Sequence, residues 1–179
     1  MNKLNFIKTF MSDVRVAALV PTSRRAIGRI LSYVPKDAKT IVEYGPGDGV
    51  ITKPLLERLP TDAKMIVIET NDDFIRELAY IHDPRLHIKQ GDALLAAEYL
   101  QEAGMHKLDM AISGIPFSFL KSAQRKHIVA QTYAALAPHG VFVIYQFSPF
   151  MFFYLKRLFA HVKCRYVWPI FFIMIAAKT

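Results

Sequence analysis

A glycine-rich segment near residue 45 has the residue types of a ligand-binding turn. Glu43 is followed by Gly45, Gly47 and Gly49, and the apolar run Thr40–Tyr44 leads directly into them. Alternate glycines let the backbone turn sharply and approach a ligand closely, and a helix that follows offers free N–H groups. An ordinary glycine-rich turn between a strand and a helix is the alternative that this pattern leaves open.

Two further acidic residues follow apolar runs and weigh against that alternative. Glu69 ends the run Met65–Glu69, where a carboxylate can accept hydrogen bonds from both hydroxyls of a ribose. Asp92, in a Gly-Asp-Ala sequence, follows a third run and can accept a hydrogen bond from an adenine amino group. Glu43 suits a nucleoside that carries a positive sulfonium and an amino group better than a dinucleotide pyrophosphate.

The chain alternates short apolar runs with stretches of helical length or periodicity. This repetition predicts a parallel sheet with helices on both faces, in one domain over residues 1–179, with a helical region at 1–36 and the sheet at 37–179. Only Pro169 separates the last two runs, which predicts an antiparallel pair. The predicted strands are Thr40–Tyr44, Met65–Glu69, Leu86–Lys89, Leu108–Ser113, Val141–Gln146, Lys163–Trp168 and Ile170–Lys178.

The overall composition is that of a folded domain. Of the 179 residues, 53% are hydrophobic, 21% are charged and one is a cysteine, which excludes disorder and an internal disulfide. The six histidines lack the paired spacing of metal sites, so no metal is expected. We expect a reducing, cytoplasmic setting, with neither a signal peptide nor a transmembrane helix, because polar residues or prolines interrupt the longest apolar stretches.

Charge is unevenly distributed along the chain. Residues 1–36 carry a net +6, residues 37–109 a net −6, and residues 110–179 a net +8 without any Asp or Glu. A basic surface attracts both nucleic-acid phosphates and anionic lipid head groups, so charge alone leaves both partners open. The mean hydropathy of +0.21 favours the lipid surface slightly, because apolar residues are abundant near the basic segments.

The three acidic motifs together resemble the successive cofactor motifs of class I S-adenosylmethionine-dependent methyltransferases, from about residue 40 to the C-terminus. The resemblance implies a Rossmann-like α/β fold, with a mostly parallel seven-stranded sheet in the order 3-2-1-4-5-7-6 whose last strand is antiparallel. It implies S-adenosyl-L-methionine as the cofactor, with Glu43 near its methionine part, Glu69 on its ribose and Asp92 beside its adenine. The residues expected to bind it are Glu43, Tyr44, Gly45, Pro46, Gly47, Gly49, Glu69, Thr70, Gly91, Asp92, Ala93, Ser113 and Gly114.

The segment Ser113–Phe117, at the end of the fourth predicted strand, is the candidate acceptor site and resembles two families of N-methyltransferases. In rRNA adenine-N6 methyltransferases the pattern is Asn-(Ile/Leu)-Pro-(Tyr/Phe). Here Ser113 and Gly114 precede Ile-Pro-Phe, and no counterpart of the helical C-terminal domain of those enzymes is expected. Bacterial phospholipid N-methyltransferases carry Ser-Gly-(Leu/Ile)-Pro, as this sequence does.

The likeness to the phospholipid N-methyltransferases extends over nearly the whole chain. Asn5–Val20 corresponds to their opening amphipathic helix, and Pro21–Ser23 corresponds to their Pro-(Ser/Thr)-Ser segment. The resemblance implies methylation of phosphatidylethanolamine towards phosphatidylcholine, with an RNA adenine or a small-molecule amine as the alternative acceptor. The residues expected to bind the substrate are Ser23, Ile115, Pro116 and Phe117.

The predicted helix Asn5–Val20 has apolar residues at intervals of three and four, with basic residues beside them. Such a helix can lie in an anionic membrane surface, where each basic residue contributes roughly 1 kcal/mol, or it can pack on the sheet. Similarly, Thr22 or Ser23 either caps a helix at Arg24–Leu31 or lies beside the cofactor. We expect a cytoplasmic protein held peripherally at the inner face of the cytoplasmic membrane by Phe6, Phe10, Arg15, Arg24 and Arg25.

Methyl transfer to an amine is a single displacement, in which catalysis comes mainly from alignment of the reacting atoms. The acceptor ammonium must first lose a proton, and a partly apolar site beside a cation favours the neutral amine. The rings of Tyr44 and Phe117 are predicted to face the growing ammonium through cation–π contacts. Together with Ser113 they are the candidate catalytic residues, and the sequence identifies no dedicated base.

Overall fold

The computed structural model describes residues 24–168 and 171–179. Its strands are β1 (Thr40–Tyr44), β2 (Lys64–Glu69), β3 (Leu86–Gln90), β4 (Leu108–Ser113), β5 (Leu136–Gln146), β6 (His161–Val167) and β7 (Phe171–Ala177). They form one sheet in the order β3-β2-β1-β4-β5-β7-β6, which confirms the predicted fold class and strand order.

The direction of the strands also agrees with the prediction. All pairs among β1 to β5 are parallel, whereas β7 runs antiparallel to both β5 and β6. The predicted antiparallel pair is formed by β6 and β7, from His161 opposite Ala177 to Val167 opposite Phe171. It follows that β6 and β5 point the same way and end at the same edge of the sheet.

The bounds of β2, β3, β6 and β7 differ from the sequence prediction by one or two residues, and the largest difference is at the start of β5. β5 begins at Leu136 rather than at Val141. Its early part is irregular, because His139 has a positive φ of 62° and the pairing with β4 shifts register between Leu108 and Met110. A proline and a residue in the left-handed region conceal this part of the strand from a search for apolar alternation.

Helices cover both faces of the sheet, as predicted. The described helices are α1 (Arg24–Leu31), α2 (Thr52–Leu56), α3 (Asp72–Leu78), α4 (Ala96–Glu102), α5 (Ser122–Ala135) and α6 (Met151–Leu155). Buried residues of α1 to α3 share one apolar cluster with Ile41, and those of α4 to α6 share the other with Val42. Consecutive strand residues therefore face different layers of helices, as the pleat of a strand requires.

Parallel pairing brings the carboxyl ends of four strands together at one edge of the sheet. Tyr44 lies opposite Ile68 of β2 and Ser113 of β4, and Ser113 lies opposite Ile144 of β5. The glycine segment, Glu69 and the acceptor segment must therefore meet at this edge. Ligands of open α/β sheets bind in the crevice at such an edge.

Part of the predicted membrane contact lies outside the described residues. This part comprises the helix Asn5–Val20 with Phe6, Phe10 and Arg15. Ser23, which is predicted to bind the substrate, also lies outside the described residues. Helix α1 has the bounds that the sequence predicts, with Arg24 and Arg25 exposed at its start. In residues 24–168 and 171–179, the helices fall short of the length and apolar character that crossing a bilayer demands.

Candidate active site

The glycine segment forms a tight turn after β1. Gly45, Gly47 and Gly49 have φ angles of 64°, 59° and 80°, in the left-handed region that favours glycine. The Gly45 amide donates to the carbonyl of Ile68 over 2.9 Å, and the Gly49 amide donates to the carbonyl of Pro46 over 3.1 Å. The positive φ angles therefore explain why glycine occurs at alternate positions. The hydrogen bond from Gly45 to Ile68 fixes the turn to the end of β2.

Glu43 is a buried carboxylate with an unused acceptor. Its side chain is fully buried, and its Oε2 accepts a hydrogen bond of 2.6 Å from the Thr52 hydroxyl. Its Oε1 has no hydrogen-bond partner. Burial raises the pKa of Glu43 to about 7 against the opposing effect of the Thr52 hydrogen bond, and the nearby charges of Glu69 and Asp48 raise it further. A buried acceptor of this kind fits a cationic or hydrogen-bond-donating group of a ligand.

Glu69 joins the end of β2 to the glycine turn. Its Oε1 accepts hydrogen bonds from the backbone amides of Thr70 and Asn71, at 2.8 and 3.0 Å. Its Oε2 accepts a bond of 3.2 Å from the amide of Gly47. Because backbone groups on two loops hold the carboxylate, its orientation at the sheet edge is defined before any ligand binds.

The Gly-Asp-Ala segment follows β3 at the same edge. The Gly91 amide donates to the carbonyl of Glu69 over 2.9 Å, and a Cβ at Gly91 would overlap the Tyr99 hydroxyl. Asp92 is exposed, and its Oδ1 caps the short helix after it by accepting 2.9 Å from the Leu94 amide. Ala93 is buried beneath the loop. The structure thus brings these residues next to Glu69, and Asp92 keeps an exposed side chain.

The acceptor segment is a close-packed turn after β4. The Gly114 amide donates to the carbonyl of Tyr44 over 2.9 Å, and the buried Ser113 hydroxyl accepts 3.3 Å from the amide of Ile115. Ile115 and Pro116 are half-buried at the surface of the turn. Ser113 is therefore turned back onto its own loop, where it holds the position of Ile115.

Gly114 lies against a residue that the sequence prediction missed. A Cβ at position 114 would be 2.5 Å from the Tyr145 hydroxyl oxygen and 2.8 Å from the carbonyl oxygen of Gly45. Tyr145 belongs to β5, and its pKa is raised well above the usual value, first by burial and then by the charges of Glu43, Asp48 and Glu69. Its hydroxyl thus occupies the space beside Gly114, close to the acidic groups of the site.

Gln146, the last residue of β5, is a second residue that the sequence prediction missed. Its Nε2 donates to the carbonyl of Ser148 over 2.6 Å, and its buried Oε1 has no partner. β5 is the neighbour of β4, so the residues at its carboxyl end lie near the acceptor segment. The position of Tyr145 and Gln146 at the end of a predicted strand is the one signal in the sequence that indicates a place in the site. Which of them approach Gly114 depends on contacts between strands that apolar alternation does not show.

The orientation predicted for Tyr44 and Phe117 requires correction. Both side chains are fully buried in the cluster with α5 and α6. The Tyr44 hydroxyl contacts that of Thr132 at 3.2 Å, its ring packs edge-on against Phe142 with centroids 6.4 Å apart, and burial raises its pKa to about 12. Since the pleat alternates, Glu43 points to one side of the sheet and Tyr44 to the other. The two aromatic rings pack in the core and are not available to an ammonium at the edge.

The site contains acceptors and backbone groups without the donor set of a metal centre. In the part of the chain that the structure describes, no three His, Cys, Asp or Glu side chains are grouped so that they could hold a metal ion. The sheet order, the glycine turn and the carboxylates of Glu43 and Glu69 near the ends of β1 and β2 instead agree with the fold of a class I S-adenosylmethionine-dependent methyltransferase.

Solved structures share this fold. The N-methyltransferase NodS from Bradyrhizobium japonicum has a TM-score of 0.70 at 13% identity, with 89% of this chain and 97% of that chain covered. A spermidine synthase in complex with a transition-state analogue has a TM-score of 0.66 at 19% identity, with 84% of this chain and 60% of that chain covered. At these identities the likeness concerns the fold.

Sequence comparison gives the family. No family model matches the chain. The ornithine lipid N-methyltransferase of Singulisphaera acidiphila is 33% identical over 141 residues, which cover 75% of this chain and 72% of that protein. The chain therefore belongs to the S-adenosylmethionine-dependent N-methyltransferases, in the family of that protein, and S-adenosyl-L-methionine is its methyl donor.

A second group of relatives matches a shorter part of the chain. The ribosomal RNA small subunit methyltransferase A of Cupriavidus taiwanensis is 39% identical over 67 residues, which is 37% of this chain and 23% of that protein. The chain thus covers about a quarter of the length of this RNA enzyme, against almost three-quarters of the lipid enzyme.

Proposed function

We propose that this protein methylates the head-group amine of a membrane lipid, of which phosphatidylethanolamine is the predicted substrate and an ornithine lipid the closest alternative. The observation that carries the proposal is the contact between Gly114 and Tyr145 in the acceptor turn. The extended match to the ornithine lipid N-methyltransferase supports the same class of acceptor.

The contact at Gly114 argues against the acceptor site of an RNA adenine methyltransferase. In those enzymes an Asn stands before Ile-Pro or Leu-Pro, at the place that Gly114 occupies here. A side chain at 114 would meet the Tyr145 hydroxyl oxygen at 2.5 Å and the Gly45 carbonyl oxygen at 2.8 Å, well inside van der Waals contact. An Asn side chain at position 114 that binds an adenine amino group would therefore not fit in this turn.

The residues at the ends of β1, β2 and β3 fit the cofactor. When bound, S-adenosyl-L-methionine supplies an electrophilic methyl group on a positively charged sulfur. Glu43, with its free buried Oε1, would hold the positively charged methionine part, and its ionised form would be favoured there. Glu69 would accept from the ribose, and exposed Asp92 would accept from the adenine amino group.

The acceptor turn would orient the amine and remove water from it. Ile115 and Pro116 offer a half-buried apolar surface, and the Ser113 hydroxyl accepts a hydrogen bond from the amide of Ile115. Such surroundings lower the pKa of an ammonium group, which is about 10.4 in water for a primary amine like that of lysine, and so favour the neutral nucleophile. Alignment of this amine then lowers the barrier without a covalent intermediate on the protein.

Contact with the membrane would bring the lipid amine to this edge. Arg24 and Arg25 are exposed at the start of α1, directly after the predicted amphipathic helix that contains Phe6, Phe10 and Arg15. Under this proposal the protein acts at the inner face of the cytoplasmic membrane, and Ser23 lies near the substrate.

The proposal is tested by incubating the purified full-length protein with methyl-labelled cofactor and either phosphatidylethanolamine vesicles, ornithine lipid vesicles or total RNA. We expect label in a lipid.

Glu69→Ala should lower cofactor affinity about 10- to 100-fold in calorimetry, because charged hydrogen bonds to the ribose are lost. Glu77→Ala removes an exposed carboxylate from α3 and should leave affinity unchanged. Label that enters RNA alone would favour the adenine N-methyltransferase that the shorter match to the ribosomal RNA enzymes suggests.

A further inference from the structure

A basic groove lies between helix α1 and edge strand β6, apart from the cofactor residues. It has a volume of about 480 Å³ and is lined by the guanidinium-bearing residues Arg25, Arg29 and Arg165 and by the aromatic residues Tyr166 and Trp168. None of its described lining residues is acidic. We refer to these five residues and the space between them as the α1–β6 groove.

The register of the strands places the groove at the same edge as the acceptor turn. Tyr166 of β6 lies opposite Phe172 of β7, which lies opposite Gln146 at the end of β5. Two strand spacings, about 10 Å, therefore separate Tyr166 from the end of β5. Since β5 and β6 run in the same direction, Trp168 extends from the sheet on the side where β1, β4 and β5 also end.

The chemistry of the groove matches that of a membrane interface. Guanidinium groups bind phosphate oxygens with two parallel hydrogen bonds, and three of them come from two different elements here. Trp168 and Tyr166 remain 69% and 57% exposed, although large aromatic side chains are usually covered. Trp and Tyr are enriched where a protein meets the head groups of a bilayer, because their rings have an apolar body and a polar end.

We propose that the α1–β6 groove binds the phosphates of lipids in an anionic bilayer and thereby sets the acceptor edge of the sheet against the membrane. The inference rests on the proposed function in that a lipid must reach the acceptor turn. It goes beyond the proposed function by assigning a second membrane contact, which is formed by Arg29, Arg165, Tyr166 and Trp168 and shares Arg25 with the first. Trp168 enters the head-group region while Arg29 and Arg165 hold phosphates from opposite walls.

The chain offers a direct readout of this contact. Trp168 is the only tryptophan in the sequence, so tryptophan emission, excited selectively over that of tyrosine, reports on Trp168 alone. Vesicles of phosphatidylglycerol and phosphatidylcholine should shift the emission of the full-length protein to shorter wavelength, and brominated lipids should quench it. Pure phosphatidylcholine vesicles should produce a much smaller shift. Unchanged emission with the phosphatidylglycerol vesicles overturns the proposal.

The charges are tested by the double variant Arg29→Gln/Arg165→Gln in vesicle sedimentation. Each basic residue near an anionic surface strengthens binding roughly five- to sixfold, so we expect the loss of two to weaken binding roughly 30-fold. The matched control Arg76→Gln/Lys126→Gln removes the same charge from α3 and α5 and should bind like the wild type. Equal binding of the Arg29→Gln/Arg165→Gln protein and the wild type would overturn the assignment.

Two further outcomes separate this inference from the proposed function. If lipid dispersed in neutral detergent micelles is methylated but Trp168 does not respond to anionic vesicles, the groove is wrong and the proposed function stands. If Trp168 responds and no lipid takes up label, the proposed function is wrong and the groove stands. If RNA shifts the Trp168 emission and vesicles do not, the partner is a nucleic acid and the bilayer assignment is overturned.

Discussion

Two regions along the carboxyl edge of the sheet, the ends of β1 and β2 and the end of β6, differ in how their side chains are held. At the ends of β1 and β2, Glu43 is buried and Glu69 is held by three backbone amides. At the end of β6, Arg165 and Trp168 are exposed, and residues 110–179 contain no Asp or Glu. The region around Glu43 and Glu69, where we propose that the cofactor binds, is thus defined by close packing and hydrogen bonds, whereas the α1–β6 groove presents charge on an open surface.

This difference predicts two kinds of response to substitution. At the close-packed end, one added or removed atom creates a clash or an unpaired buried group, so a single change has a large effect. On the open surface, charges act through solvent and are screened by salt, so effects accumulate in small steps. Cofactor binding should therefore change abruptly with single substitutions, and vesicle binding should weaken gradually as salt rises.

The largest effect is expected from Gly114→Ala, which directly tests the close packing of the turn after β4 against the glycine turn. The added methyl group would lie 2.5 Å from the Tyr145 hydroxyl oxygen and 2.8 Å from a backbone oxygen that cannot move aside. We expect methyl transfer to fall more than 100-fold and stability to fall by about 3 kcal/mol. Urea unfolding and transfer to micelle-dispersed lipid measure the two effects.

Gly28→Ala is the matched control for this prediction. A Cβ at Gly28 meets no atom within 4 Å, and the residue lies inside helix α1, where alanine is favoured over glycine by roughly 1 kcal/mol. Gly28→Ala should therefore stabilise the protein slightly and retain transfer to micelle-dispersed lipid. A Gly114→Ala protein that is as active as Gly28→Ala would show that Tyr145 moves freely, and the close-packed description of this end would be wrong.

The second prediction concerns the pH dependence that Glu43 causes. Its pKa in the folded protein is about 7, above the usual 4.5, so the folded state binds this proton more tightly than the unfolded state does. The resulting stability is fully present below about pH 4.5 and is lost as pH rises to about 7, in an amount on the order of 3 kcal/mol. Urea unfolding between pH 4.5 and 8 should show this loss in the wild type and not in Glu43→Gln.

Cofactor binding should depend on the same proton with the opposite sign. Since the ionised Glu43 would face a cationic ligand, affinity for S-adenosyl-L-methionine should rise with pH up to about 7 and then level off. Glu43→Gln should bind about tenfold more weakly at pH 8 and lose this pH dependence in calorimetry. Glu57→Gln changes an exposed carboxylate and should keep it. A pH profile shared by all three proteins would remove Glu43 from the site.

Much of the fold follows from local patterns in the sequence. Residues 40–44 and 108–113 form strands with the predicted bounds, because Gly45 and Gly114 directly follow the two runs. The order of the strands came from resemblance to a family, since pairing between distant strands depends on contacts that no local pattern contains. Apolar alternation does not predict the early part of β5, because Pro138 and His139 interrupt it.

The candidate site was less accessible to sequence reasoning than the fold. The positions of Glu43, Glu69 and Asp92 at strand ends were predictable, since glycines and apolar runs surround them. Tyr145 was not, because its role depends on a contact between β5 and the turn after β4 that leaves no room beside Gly114. A pattern that places a residue at a strand end does not say which side of the sheet its ring will face, and Tyr44 shows this.

The smallest effects are expected from substitutions at Tyr44 and Phe117. These substitutions test whether the two rings belong to the core or to the site where the acceptor amine binds. Tyr44→Phe removes the contact with the Thr132 hydroxyl and should cost about 1 kcal/mol of stability. Phe117→Leu changes the shape of a buried side chain and should cost a similar amount, about 1 kcal/mol. Because both rings are enclosed, the proportions of mono-, di- and trimethylated product should match the wild type by mass spectrometry. A shift towards monomethylated product in either variant, at unchanged cofactor affinity, would mean that a ring turns out of the core to face the ammonium, and the division between core and acceptor edge would have to be redrawn.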